Sequence, residues 1–315
     1  MIILLLSTVF IIFFMLNTPS AIPETAESLR SFLFVVLPSI FPLCVLSDWL
    51  VKTGAFNYPG KLFAPIMKPL FRLSGICTLP VIIGLVGSYP SSAKTTATLY
   101  HSKQITLNEA IVLTTFTNHA GPTFIISVIG IGFLSSPLLG FVIWICQIFS
   151  GLILGIIFSR ILIRKRGVEK PMHIASYPFT KSIRLLSSSI ADAAHTMVTV
   201  GGTILFFTAL SASLEYINIP FIHTFTGISR MFLEMTSGCQ AVNIFTYNGL
   251  SNTFLMIFRC CLYAGVVSWG GVSVHLQIIH ILSQCGIPCK YYLISKTFHT
   301  ILAMLLTFIV IICIF

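Results

Sequence analysis

Charge is what this chain has least of. Lys, Arg, Asp and Glu together make up 8% of its 315 residues, where a soluble domain carries roughly 25%. With 56% hydrophobic residues and a mean hydropathy of +0.98, that deficit excludes an ordinary water-soluble fold. Acids are scarcer than bases, eight against eighteen, and no carboxylate-rich sodium site is apparent. No Lys or Arg precedes Arg30, whereas a secretory signal opens on a positive n-region. "MIILLLSTVFIIFFML" is therefore expected to persist as a membrane helix. The nine cysteines form no C-x-x-C pair and read as small buried hydrophobes, not disulfides or metal ligands.

Other absences narrow the function. No alternating in/out polarity supports a β-barrel. The formal charge of +10 comes with no RNA- or DNA-binding pattern, so it is assigned to lysines and arginines that hold cytoplasmic loops in place. "GSYPS" lacks the second glycine of a nucleophile elbow, and "SSAKT" lacks the glycine spacing of a Walker motif. No HExxH and no Ser-His-Asp set occurs. Neither an enzyme nor a cofactor or metal site is expected.

What is present is a succession of apolar runs long enough to span a bilayer, the mark of an all-α polytopic membrane protein. Spans are expected at about 1–16, 31–51, 106–133, 136–160, 186–216, 252–284 and 291–315. Polar-interrupted units lie at about 75–101 and 226–250. The segment "SRILIRKRGVEKPMHIASYPFTKSIR" holds seven basic residues, Arg160 to Arg184, against Glu169, so this loop is cytoplasmic by the positive-inside rule. Walking outward from it, the unit at 75–101 must enter and leave on the cytoplasmic side, flanked by Lys61, Lys68, Arg72 and Lys103. That makes it a re-entrant hairpin. The unit at 226–250 must begin and end outside, and the span after it returns near Lys290 and Lys296.

The two halves repeat one order: span, interrupted hairpin, long span with a glycine break, final span. An odd number of crossings per half inverts the second copy, the plan of many secondary transporters. The expected fold is an inverted repeat of about seven spanning helices and two re-entrant hairpins. Residues 1–28 form an extra helix, 29–163 the first repeat, 164–181 a basic cytoplasmic linker and 182–315 the second repeat.

Four polar islands fall at corresponding places: "GSYPSSAKTT" (87–96), "TNHAGPT" (117–123), "LEMTSGCQ" (233–240) and "SWGGVSVHLQ" (268–277). Gly and Pro free backbone groups that hydrocarbon leaves unsatisfied, so the islands are expected to converge near the membrane midplane. Candidate substrate-binding residues are Ser88, Tyr89, Ser91, Ser92 and Lys94 on the first island and Thr117, Asn118, His119 and Gly121 on the second. Glu234, Thr236, Ser237 and Gln240 follow on the third, with Ser268, Ser273 and Gln277 on the fourth. Lys94, beside a helix N-terminus, suits an anion. Glu234 is read as binding a substrate hydroxyl, taking a proton, or neutralising Arg259. His275 and Gln277 face different sides of one helix, so at most one faces the site. His223, His280 and His299 read as interfacial or packed histidines.

"FPLCVLSDWLVKTGAF", "GLVGSYPSSAKTTATLY", "FTNHAGPTFIISVIGIGFL", "FLEMTSGC" and "WGGVSVHLQ" together resemble the sporulation integral membrane proteins of the YlbJ (SpoV V) type, in the nucleoside-recognition or Gate-domain superfamily. The resemblance runs from about residue 30 to the C-terminus. Where the family usually has "SGYP" and "GAK", this chain has Gly87-Ser88-Tyr89-Pro90 and Ser92-Ala93-Lys94. The resemblance implies a core like that of concentrative nucleoside transporters. It also implies export of dipicolinic acid, a planar dianion, from the mother cell across the outer forespore membrane. A nucleoside or nucleobase carrier of the same fold and a non-transporting sporulation scaffold are the alternatives. The expected partners are the lipid bilayer and a small anionic or nucleoside-like solute, with a homo-oligomer or a sporulation-complex partner left open. Coupling ion and direction stay open as well.

Overall fold

The computed structural model describes residues 2–55, 57–87, 89–163, 179–215, 222–244 and 252–314. Every regular element among them is helical. Among the described residues four helical stretches are long and apolar enough to cross a membrane, and a bent pair raises the number to five. The chain is thus an all-helical, polytopic integral membrane protein.

α1 (Ile2–Ser31) runs through a π-helical turn at Phe32–Val36 into α2 (Leu37–Thr53). No loop separates the two expected spans, and the helix passes residue 28 without interruption. Pro19, Pro23 and Pro42 lie inside α1 and α2. Gly54 in the left-handed region (φ 69°) ends α2.

α3 (Asn57–Phe71) occupies what the sequence reads only as a basic segment. Met67 and Phe71 are buried, while Leu62, Ile66 and Leu70, four residues apart, form an exposed apolar stripe. After a 3₁₀ turn at Gly75–Cys77 comes α4 (Thr78–Val86), with the helix axis turning by 89° between them. Arg72 donates to Ile163 O (2.8 Å) and Arg160 to Pro69 O (2.8 Å). These bonds hold the end of α3 beside the start of the basic segment, in keeping with the charge walk. Residues 164–178 of that segment lie outside the described residues.

α4 is followed by α5 (Tyr89–His101), and the two fold back on each other at Gly87. Ser92 Oγ donates to Pro80 O across this hairpin (3.0 Å). α6 (Leu107–Phe116) opens on a capping box in which Thr106 and Glu109 satisfy each other's backbone N–H groups. It stops at Thr117, and helix resumes as a π-helix at Phe124–Phe133. The span expected at 106–133 is therefore two short pieces. α7 (Pro137–Leu162) starts at the N-cap Ser136 with proline in its first turn.

Beyond the basic segment the chain is again helical. α8 (Phe179–Glu215) is a long helix that packs on both α1 and α2. α9 (Ile222–Leu233) and α10 (Met235–Ile244) meet at Glu234. α11 (Asn252–Trp269) and α12 (Gly271–Gln284) are one apolar stretch interrupted at Gly270, and α13 (Lys290–Ile314) follows them. Gly270 and Gly271 take φ of 85° and 82° in succession, a backbone that side chains with a Cβ resist. This glycine pair is what breaks the α11–α12 span.

Two apolar clusters hold the molecule. Phe32, Ile40, Cys44, Ala193, Met197 and Val200 join the α1–α2 rod to α8. A larger cluster contains Tyr89, Leu113, Ile143, Tyr263, Ile278 and Tyr292 and ties α3–α7 to α10–α13.

Candidate functional site

The four polar islands meet. The first joins the second through Ser92 Oγ, which donates to Thr117 Oγ1 (2.6 Å). Thr117 in turn donates to Leu113 O (2.8 Å), the carbonyl one turn back in α6. The first approaches the fourth where Tyr89 abuts the Gly270 break, since a Cβ at Gly270 would stand 3.2 Å from the tyrosine ring. The third approaches the fourth where a Cβ at Gly271 would lie 3.0 Å from both Glu234 Cα and Leu233 O. Freed backbone at one break thus faces polar or backbone atoms of another, as hydrocarbon surroundings require.

A cavity of about 60 Å³ lies among these segments. Tyr89 and Pro90 line it from the first island, Gly121 and Thr123 from the second. Glu234 and Thr236 come from the third, Ser273 and Gln277 from the fourth. Val36, Ile40, Val200 and Ile204 close its far side, so it lies between the rod of α1, α2 and α8 and the broken helices. Each island contributes the first turn of a helix: α5, the segment leading into Phe124–Phe133, α10 and α12 all begin here. Four helix N-termini, each a positive dipole end, therefore border one space.

Several buried polar atoms in this region find no partner among the described residues: Ser268 Oγ, Ser273 Oγ, Asn118 Oδ1, Gln147 Oε1 and His119 Nδ1. Native cores keep few such groups.

The remaining candidates fall into place around the cavity or away from it. Glu234, 2% exposed, accepts the backbone N–H of Ser237 (2.7 Å) and so caps α10. It does not neutralise Arg259, which donates instead to Asn243 Oδ1 and Phe133 O. Of the three readings of Glu234, the Arg259 ion pair is corrected to a cap, because the N–H groups at the start of α10 lie beside the carboxylate. Asn118 spends its amide on Thr114 O (3.0 Å). The His119 ring stands edge-on to His299, centroids 5.3 Å apart. Ser91 is fully buried and Gln240 half-buried, and neither lines the cavity. Gln277 faces the cavity, whereas His275 turns to Tyr292 Oη (2.9 Å). Ser88 and the side chain of His223 lie outside the described residues.

Lys94 does not reach this space. Its ammonium donates to Thr196 Oγ1 on α8 (2.7 Å). Nearby, Lys52 pairs with both Asp48 and Asp192 at 2.6 Å, and Thr98 donates to Asp48 (3.1 Å). The side chain leaves α5 on the face toward α2 and α8, opposite the hairpin's inner face, which carries Ser92.

The residue that sequence reasoning missed is Lys296. Read as a loop anchor, it is 2% exposed. Its ammonium donates to Asn118 O (2.6 Å) and Ser268 O (3.0 Å), one carbonyl from each broken helix. It also lies 4.8 Å from the centroid of the Tyr89 ring. Gln147 of α7 performs a related service, donating to Val267 O (2.8 Å) in the opposite half. The signal was available: a lysine and a histidine three residues apart inside an otherwise apolar helix.

Among the described residues no three His, Cys, Asp or Glu side chains are grouped to hold a metal ion. Residues 33–137 match the family model described as "Gate: Nucleoside recognition". Over 294 residues the chain is 24% identical to the sporulation integral membrane protein YlbJ of Bacillus subtilis (strain 168), covering 85% of this chain and 72% of that protein. No solved structure matches it. The chain is thus a polytopic membrane protein with a stretch that matches the nucleoside-recognition family model, and it is similar, over most of its length, to sporulation integral membrane protein YlbJ.

Proposed function

We propose that this protein is a secondary transporter of a small planar solute, dipicolinic acid, acting at the outer forespore membrane during spore formation. The two halves, 29–163 and 182–315, are inverted copies joined by the basic 164–181 linker, and residues 1–28 precede them. With α1 and α2 one continuous rod, six spans follow if the rod and the broken pair at 107–133 each cross, one fewer than the seven expected. The α4–α5 and α9–α10 hairpins then re-enter from opposite sides, in a core like that of concentrative nucleoside transporters.

One observation carries this reading: four helix breaks, two from each half, border one mostly apolar cavity with a few polar groups in its wall. Substrate sites of such transporters lie where interrupted helices from two repeats meet, with helix N-termini turned toward anionic groups. Four N-termini suit the two carboxylates of dipicolinate, and Ser273, Thr236 and Gln277 supply side-chain donors beside them. The sporulation role rests on the name of the relative. At about 60 Å³ the cavity is smaller than the ~150 Å³ that accommodates a benzene ring, so substrate binding requires the hairpins to part.

A nucleoside is the second reading. Among the described residues the lining includes the Glu234 carboxylate and no Lys or Arg side chain, which suits ribose hydroxyls better than a dianion. Uptake of labelled dipicolinate into vesicles holding the purified protein, competed by unlabelled nucleosides, separates the two. Deletion in the native host tests the physiological role: dipicolinate should fall in spores and accumulate in mother cells. A deletion strain with normal spore dipicolinate overturns it. Vesicles inert to both solutes favour a scaffold.

A further inference from the structure

Lys296 occupies an unusual place for an ammonium group. α6 and α11 each end at a break, at Thr117 and Gly270, and their last carbonyls have no helical N–H to accept. Both half-helices therefore present the negative end of their dipole. Asn118 O lies just past the end of α6 and Ser268 O in the last turn of α11, and the ammonium binds both. Its third contact is His299 Nδ1 (3.3 Å). The other ring nitrogen, His299 Nε2, is 2.8 Å from Gln147 O and must donate its proton there. Nδ1 is then the acceptor, and all three ammonium protons are placed. Among the described residues no carboxylate forms an ion pair with Lys296. Carbonyls at the C-terminal ends of interrupted half-helices are the ligands that transporters offer to a monovalent coupling cation.

We propose that Lys296 is a tethered cation: its ammonium fills the carbonyl-lined position between the two broken helices that a free monovalent cation would otherwise occupy. The inference rests on the transport reading for its mechanistic meaning, since a built-in cation removes the need for a coupling metal ion at this position. It also places a positive centre between the two broken helices. Tyr89 of the first hairpin stands against that centre through its ring face.

The test does not depend on transport. The full chain is purified in detergent and its thermal midpoint compared in choline, sodium and potassium chloride at equal ionic strength. Wild type should respond identically to the three salts. Lys296→Ser leaves both carbonyls and the imidazole nitrogen facing vacated space. Its midpoint should fall in choline and recover selectively in sodium or potassium, by roughly 2–4 °C per tenfold excess of cation over its dissociation constant. Lys296→Met refills that space without charge and should show no cation response. Lys296→Asn provides a second small neutral side chain, expected to behave as the serine does, should Lys296→Ser fail to accumulate. Sodium- or potassium-specific stabilisation of wild type overturns the proposal, as does a folded Lys296→Ser or Lys296→Asn protein indifferent to cation. Dipicolinate uptake by reconstituted wild type should proceed equally in choline and sodium. Vesicles that take up no solute would refute the transport reading alone, with the midpoints still deciding on Lys296.

Discussion

Gly84 offers a quantitative test of whether the first hairpin is seated on the α6 break. It lies inside α4, where Ala is ordinarily better than Gly by about 1 kcal/mol. A Cβ there, however, would overlap the carbonyl oxygen of Thr117 and come within 3.4 Å of Ser92 Cβ. Relieving that overlap means moving α4 off the break, an overpacking cost of about 1–3 kcal/mol. The same movement pulls Ser92 from Thr117 and loses the 2.6 Å hydrogen bond, worth about 0.5–1.5 kcal/mol. The costs exceed the propensity gain, leaving Gly84→Ala destabilised by about 0.5–3.5 kcal/mol. Gly202 is the control: it lies in α8, and a Cβ added there would meet nothing within 4 Å, so Gly202→Ala should gain up to about 1 kcal/mol. Thermal unfolding in detergent, at roughly 2–4 °C per kcal/mol, should move the two midpoints in opposite directions. A Gly84→Ala protein as stable as Gly202→Ala would show that the hairpin does not press on Thr117, and the convergence of breaks would lose its first link.

Further substitutions probe the cavity by solute binding to purified protein. Ser273→Ala and Gln277→Leu should each weaken binding by roughly 2–12-fold, one net hydrogen bond apiece; unchanged affinity would remove that side chain from the site. Glu234→Gln keeps an acceptor for the Ser237 N–H but removes a negative charge, so dipicolinate should bind more tightly and a nucleoside more weakly. Either sign is readable by titration, and no change for either solute would reduce Glu234 to a helix cap. Lys94→Met loses only the bond to Thr196, so dipicolinate affinity should stay within about threefold of wild type, below the ~10-fold loss expected for a charge-assisted contact. A larger loss would return Lys94 to the binding site.

The breaks were legible because their cause is local. Gly87, Pro90, Gly121 and the Gly270–Gly271 pair interrupt helices whatever surrounds them, and a buried interruption needs polar company. Length was less legible. Residues 1–53 read as two spans with a linker, yet helix continues through Pro19 and Pro23, since each proline removes one donor without ending the rod. α3 hid behind its charges: Lys61, Lys68 and Arg72 suggested a loop, while the apolar stripe of Leu62, Ile66 and Leu70 carried the helical spacing. Side-chain direction was the least legible. Lys94 and Ser92 are two residues apart on α5 and point to different neighbours, a consequence of 100° per residue that spacing along an island conceals. Lys296 shared its sign with the loop anchors, and only its place beside His299 within an apolar run set it apart.

The polarity of the breaks completes the physical picture. Each interrupted span has two ends at its break, a carbonyl end from the first half-helix and an N–H end from the second. These ends demand opposite charges. In this chain they are separated in space: the carbonyl ends of α6 and α11 gather on the ammonium of Lys296, and the N–H ends of α5, α10 and α12 border the cavity. One N–H end, that of α10, is already occupied by the Glu234 carboxylate. The cation side is therefore filled by the chain itself, while the anion side is filled only in part. On the transport reading, the unfilled donors are what a planar anion would complete, and completing them requires the hairpin tips at Tyr89 and Glu234 to move together around it.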